Sequence, residues 1–187
     1  MESKEPVDLS NPLLQGLACA ALSPGLRKIL VFDAPITSLT MAAQNLAWML
    51  KQTTHCQITQ VQLGMVETEE SLWGGLTLPQ EKADQPFAWQ PGSLAEGRDN
   101  ALKLVIIPDL ARLSLATARA CVALMGSNVA YLERHGHQDS WQPNLCWLAG
   151  CARQDIGLVS AHLLDRFALR LSHQDWGQDD REAKIRQ

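Results

Sequence analysis

Leu102-Lys103-Leu104-Val105-Ile106-Ile107, closed by Pro108, is the stretch that decides the fold. A run this apolar, ended by a residue without a backbone N–H, reads as a strand buried on both faces, the kind found in parallel sheets. Two runs of the same character lie on either side, Ile29-Leu30-Val31-Phe32 and Leu145-Cys146-Trp147-Leu148-Ala149. Ile58 to Leu63 alternates apolar and polar residues, as a half-buried strand does. Helical segments separate these strands. Leu13 to Leu22 reads as a short helix ended by the turn Ser23-Pro24-Gly25. Met41, Leu46, Met49 and Leu50 recur at helical spacing in a helix from about Leu39 to Lys51, for which Thr37 or Ser38 supplies a cap. Ser114 opens another helix reaching about Met125. Val129 to Trp141 reads as a hairpin turning at His135-Gly136, and His162 to Leu171 as a short helix or turn leading into a last strand. Strands alternating with helices predict an α/β domain, its sheet flanked by helices on both faces.

The 187 residues correspond to one domain. Sixteen Lys and Arg against twenty Asp and Glu leave a net charge of -4, which argues against a nucleic-acid partner. At 46% apolar and 19% charged, the chain is too apolar for disorder. Five cysteines, an odd number lying mostly in apolar runs, read as reduced, buried thiols in a cytoplasmic protein. The longest apolar run falls far short of the ~20 residues that span a bilayer, and Met1 to Pro6 is no signal peptide, so no membrane partner is expected. The expected organisation is a flexible arm over residues 1–12, a domain over 13–171 and a polar tail over 172–187. Glu67 to Gly97, rich in Gly, Pro, Gln and acids around Trp73 and Trp89, is expected to be an irregular or functional loop region.

A strand, turn and helix near the N-terminus is where nucleotide-binding proteins place a phosphate loop, which needs Gly for close backbone approach and Lys for charge. Asp33-Ala34-Pro35-Ile36-Thr37-Ser38-Leu39-Thr40 has neither, and Asp33 adds negative charge there. A Mg-ATP site also wants two acids after an apolar strand. Here Pro108-Asp109 leaves one, and a lone acid at a strand end is more often a cap or turn former. His135 and His137 flank a turn glycine, and Cys146 and Cys151 lack zinc-ribbon spacing, so no metal site is expected. Trp147 reads as core.

Several segments together carry a family resemblance. Glu69-Glu70-Ser71-Leu72-Trp73-Gly74-Gly75-Leu76 precedes Pro91-Gly92-Ser93-Leu94-Ala95-Glu96-Gly97, and then come Leu104 to Ile107, Val129 to Gly136 with Glu133-Arg134, and His162-Leu163-Leu164-Asp165-Arg166-Phe167-Ala168-Leu169. This series, over roughly Leu13 to Leu171, resembles the AAA+ module of magnesium chelatase, which inserts Mg²⁺ into protoporphyrin IX on the way to chlorophylls. It is most similar to the N-terminal region of the D subunit, whose ATP-site residues are lost in many members.

The resemblance implies an AAA+-like P-loop NTPase fold with a central parallel sheet. Leu39 then stands where the family has its phosphate-loop Lys, Thr40 at the Mg-binding hydroxyl, Pro108 at the metal-binding Asp and Asp109 at the Glu. Arg153 falls near a polar sensor position. Arg166 matches the arginine finger that reaches a neighbour's ATP; the bland alternative is a surface arginine paired with Asp165 or a carbonyl. The sixteen residues after Leu171 are too few for the family's helical lid, and neither an Asp-x-Ser-x-Ser metal site nor an integrin-like domain is present. The implied role is a subunit that hydrolyses no ATP itself, binds no cofactor, and assembles in a homo- or hetero-oligomeric ring with a chelatase-type AAA+ ATPase holding Mg-ATP. Trp73, Trp89 and Arg166 would lie at the interface. The rivals are a stand-alone protein-binding adaptor with Trp73 and Trp89 as its contact patch and, least favoured, a nucleotide-binding enzyme with a divergent phosphate site.

Overall fold

The computed structural model describes residues 11–78, 87–95 and 101–173. Residues 1–10 of the expected arm, the tail from 174 onward and Glu96-Gly97 lie outside the described residues. In chain order the elements are α1 (Pro12–Leu22), β1 (Lys28–Phe32), α2 (Ile36–Thr54), β2 (Gln57–Gln62), α3 (Glu69–Trp73), β3 (Gly74–Thr77) and β4 (Ala88–Pro91). There follow β5 (Ala101–Ile107), α4 (Leu115–Gly126), β6 (Ala130–Arg134), β7 (His137–Trp141), β8 (Leu145–Cys151), α5 (Ala161–Leu164) and β9 (Leu169–Ser172).

Five of these strands form one sheet in the order β2-β5-β8-β1-β9, every neighbouring pair parallel. Side chains alternate between its faces. Ile29, Val31, Cys146 and Leu148 pack with α1 and α2 on one side. Leu30, Trp147, Ala149 and Cys151 pack with α3, α4 and α5 on the other. The three interior strands are therefore apolar apart from Lys28 and Lys103, which is why they stand out in the sequence. The edge strand β2 is half covered and keeps its alternation.

Local signals explain the element ends. Asn11 caps α1 by accepting from the Leu13 N–H, with Pro12 at the first helical position, so the expected arm is already helical at Pro12. Ser114 caps α4 through the Thr117 N–H. Two expectations need correction. Helix α2 begins at Ile36 rather than Leu39 and runs on to Thr54, ending at His55 with φ 55°. Neither Thr37 nor Ser38 caps it; Pro35, with φ -57° and no N–H to lose, sits at the cap position.

The segment from Glu67 onward is also more regular than its composition suggests. Thr68 and Ser71 close a reciprocal capping box over α3, and β3 pairs with β4 as an antiparallel hairpin. Two of its glycines, Gly74 and Gly92, are steric necessities. Gly74 has φ +112°, and a Cβ on Gly92 would sit 2.5 Å from the Gly74 nitrogen and the Leu72 carbonyl carbon.

All five cysteines are free. Cys121, Cys146 and Cys151 are buried, Cys56 is half-buried, and Cys19 departs from expectation by being exposed. Burial pushes the Cys121 and Cys146 thiols up to about 12. Burial raises Cys151 too, helped by the negative charge of Asp109, Asp155 and Asp33. Among the described residues, no helix is long and apolar enough to cross a membrane.

Candidate functional site at the two ends of the parallel sheet

The carboxyl ends of parallel strands are where α/β proteins hold ligands. Here β1, β5 and β8 end around an open cleft of about 660 Å³ lined by Asp33, Pro35, Pro108, Asp109, Cys151 and Arg153. Asp33 sits in the left-handed region at φ 57°, an arrangement Asp tolerates better than most residues. This backbone turn lets its N–H donate to the Cys151 carbonyl at 3.0 Å. It also turns its carboxylate toward Arg153, accepting from the backbone N–H at 2.9 Å and from Nε at 3.0 Å. The Arg153 guanidinium lies 5.2 Å from the centre of the Phe32 ring. The end of β1 is thereby fastened to the residues after β8.

The residues at the nucleotide-site positions have other occupations. Only Asp33, Ala34 and Pro35 separate β1 from α2. Leu39 is 1% exposed in the α1–α2 core. Its Cδ2 lies 3.2 Å from where a Cβ on Gly150 would be, and that Cβ would also meet the Pro108 carbonyl at 2.6 Å. The ends of β5 and β8 and the first turn of α2 close together at a residue without a side chain. Thr40 donates its hydroxyl back to the Ile36 carbonyl at 2.8 Å. Asp109 caps a 3₁₀ turn through the Ala111 N–H at 3.0 Å and pairs with Arg112 at 3.3 Å.

Arg166 lies at the other end of the sheet, where β1 and β8 begin. A second cleft there, of about 690 Å³, has Arg27, Lys28, Gly126 and Arg166 among its lining residues. The Arg166 guanidinium rests 3.0–3.2 Å from where a Cβ on Gly126 would stand, so a glycine at the end of α4 gives it room. Asp165 faces Arg170 at 3.9 Å, and Arg170 also donates to the Leu164 carbonyl at 2.9 Å. The Arg166 side chain has no hydrogen bond or ion pair to a described residue, while its backbone N–H donates to the Leu163 carbonyl at 3.1 Å. It cannot serve the cleft at the opposite strand ends of its own chain.

Trp73 and Trp89 are half-buried and occupied internally. Trp73 meets Trp141 edge-on with centroids 6.5 Å apart, and Trp89 stacks on His137 at 4.4 Å. These contacts join α3 and the β3–β4 hairpin to the β6–β7 hairpin, and Arg134 adds an ion pair to Glu69 at 2.8 Å. His135 takes φ 49° in the β6–β7 turn, followed by Gly136 at φ 78°. Among the described residues, no three His, Cys, Asp or Glu side chains converge as metal ligands.

Residue chemistry alone did not reveal the Asp33–Arg153 fastening or the cationic cleft. The paired residues are 120 positions apart, and Arg27 and Arg166 meet only when β1 and α5 are brought together.

No family model matches the chain, and no curated protein matches it either. Among solved structures, a protein of Cytophaga hutchinsonii described as a candidate ATPase superposes with a TM-score of 0.54 at 15% identity. The match covers 95% of this chain and 49% of that one, so the chain spans about half its length. Together with the strand order, this likeness shows an α/β fold built on a central parallel sheet flanked by helices, shared with that structure.

Proposed function

We propose that this chain is a non-hydrolysing AAA+-like subunit that regulates an ATPase of the magnesium chelatase type. It would assemble beside an active AAA+ subunit and offer Arg166 to the Mg-ATP held there. One contrast carries the reading. The strand ends that would hold nucleotide are fastened by Asp33 and Arg153, while the Arg166 side chain at the opposite end has no partner among the described residues. A phosphate loop cradles anions with several free N–H groups and a lysine. A three-residue connection followed by a buried Leu39 offers neither. Arg166 has a donor-rich fork and no carboxylate paired with it among the described residues, which is what a phosphoryl group in the transition state needs.

The sequence likeness to the chelatase D subunit supplies the partner class. The resulting mechanism is simple. The partner's ATP is hydrolysed when the Arg166 guanidinium offsets charge developing on the transferred phosphoryl group, and the rigid parallel sheet couples that contact to the rest of the assembly. The adaptor alternative is less favoured because Trp73 and Trp89 direct much of their ring surface inward, each meeting the β6–β7 hairpin.

The deciding experiment reconstitutes the chain with a chelatase-type ATPase subunit and compares wild type with Arg166→Ala. An arginine finger contributes on the order of 10³-fold or more to turnover. A fall of that order, with this chain still folded by circular dichroism, is expected. Unchanged partner turnover would remove the trans role.

A further inference from the structure

The cleft holding Arg166 carries more positive charge than one arginine finger requires. Arg27, Lys28 and Arg166 line it, against the single carboxylate of Asp165, which is exposed and turned toward Arg170. The chain as a whole has a charge of -4, so this concentration runs against its overall balance. Lys28 donates its ammonium to the Met125 carbonyl at 2.8 Å, which places a cation at the otherwise uncompensated end of α4. Arg27 is under-used. Its Nη2 reaches the Ala21 carbonyl only at 3.5 Å, and its Nε is shielded from solvent with no partner among the described residues. Arg27 lines the cleft, where an anion can accept from the guanidinium N–H groups that the Ala21 carbonyl does not take. Asn128 and Gln142 add neutral amides to the same wall.

We infer that this cleft is a phosphate-chain site in which Arg27 and Arg166 grip the anion and Lys28 offsets the α4 carbonyl end behind it. The cleft's charged groups recognise the phosphates rather than a base or sugar. The phosphates come from a nucleotide held by an adjoining subunit or from a free polyphosphate, and both present the same chemistry. The inference shares Arg166 with the proposed function and extends it to Arg27. It is tested on this chain alone, so the two fail separately.

The probe is inorganic tripolyphosphate, titrated calorimetrically into the full chain at low ionic strength. Saturable binding is expected. Arg27→Gln and Arg166→Gln should each weaken it about tenfold, one charge-assisted contact apiece, while Arg119→Gln on the exposed face of α4 leaves it unchanged. Because Arg27 is partly covered, Gly126→Val serves as a second variant; its side chain would displace the Arg166 guanidinium without removing a charge. It should also weaken binding. ATP should compete with tripolyphosphate for the same site, and an ATPase partner with bound nucleotide should exclude free tripolyphosphate if the neighbour is the source. Free competition in the presence of that partner would assign the cleft to a soluble polyphosphate. No saturable binding by wild type would overturn the site. So would binding lost with Arg153→Gln but retained with Arg27→Gln, because the anion would then sit at the opposite strand ends.

Discussion

Replacing Asp33 separates the contributions of the fastening at the strand ends. Its carboxylate makes three distinguishable contributions: it accepts the Arg153 backbone N–H at 2.9 Å, pairs with Nε at 3.0 Å, and tolerates φ 57°. A hydrogen bond to a charged acceptor is worth about 1.5–3 kcal/mol, at the low end here because water can reach the vacated N–H. The ion pair is discounted to at most about 1 kcal/mol, since the Arg153 side chain is 59% exposed. Alanine in the left-handed region costs roughly 1–2 kcal/mol. Asp33→Ala should therefore lose about 2.5–4.5 kcal/mol. Asp33→Gly loses the acceptor but not the backbone fit, and should lose about 1.5–2.5 kcal/mol. Asp33→Asn keeps one acceptor oxygen and a residue suited to positive φ, and should lose about 1 kcal/mol. Urea unfolding read by tryptophan fluorescence gives the three midpoints, with unchanged slopes certifying a common denatured state. The predicted order of stability is Asn above Gly above Ala. An alanine variant within 0.5 kcal/mol of wild type, or one more stable than glycine, would refute the fastening.

Restoring a lysine at the phosphate-loop position should not restore a nucleotide site. Leu39→Lys puts an ammonium into a place that is 1% exposed, losing at least the 2–5 kcal/mol of a large-to-small core change. Mg-ATP calorimetry on the variant should show no binding, and a stable variant that bound Mg-ATP would mean the cleft is a nucleotide site lacking only its lysine. Alkaline pH should expose the buried thiols. Cys121 and Cys146 are raised from 9.0 to about 12 by burial, so their contribution is intact below pH 9 and is lost as pH rises toward 12. Each thiol contributes a slope approaching 1.4 kcal/mol per pH unit in that window. Urea midpoints between pH 8 and 11 should fall accordingly, and Cys121→Ala with Cys146→Ala should flatten the decline; an undiminished slope would contradict it. With a thiol reagent at neutral pH, Cys19 should react at once and Cys121 and Cys146 only on unfolding.

The sequence by itself determined the layered α/β architecture. Interior strands of a parallel sheet are covered on both faces, so Leu102 to Ile107, Ile29 to Phe32 and Leu145 to Ala149 are apolar apart from Lys103, and such runs are legible without coordinates. Caps such as Ser114 and the turn at Gly136 were legible because their chemistry is local. The chemical poverty of the segment Asp33 to Thr40 was legible for the same reason.

Only the tertiary structure decided what replaces the missing chemistry. That Asp33 fastens Arg153, that Leu39 is core, and that Gly150 lets β5, β8 and α2 close together depend on residues far apart in the chain. Helix α2 starts at Ile36, ahead of the Leu39 that a side-chain cap at Thr37 or Ser38 predicts, because proline's fixed φ at Pro35 stands in for such a cap. The α3 and β3–β4 region was read as irregular because polar composition masks short elements held by one capping box and two packed glycines. The Arg166 side chain has Arg27 and Lys28 as company because the turn before the last strand and the start of the first lie at the same end of the sheet. Periodicity reports which face of an element is buried; it carries no information about which distant side chain lies opposite.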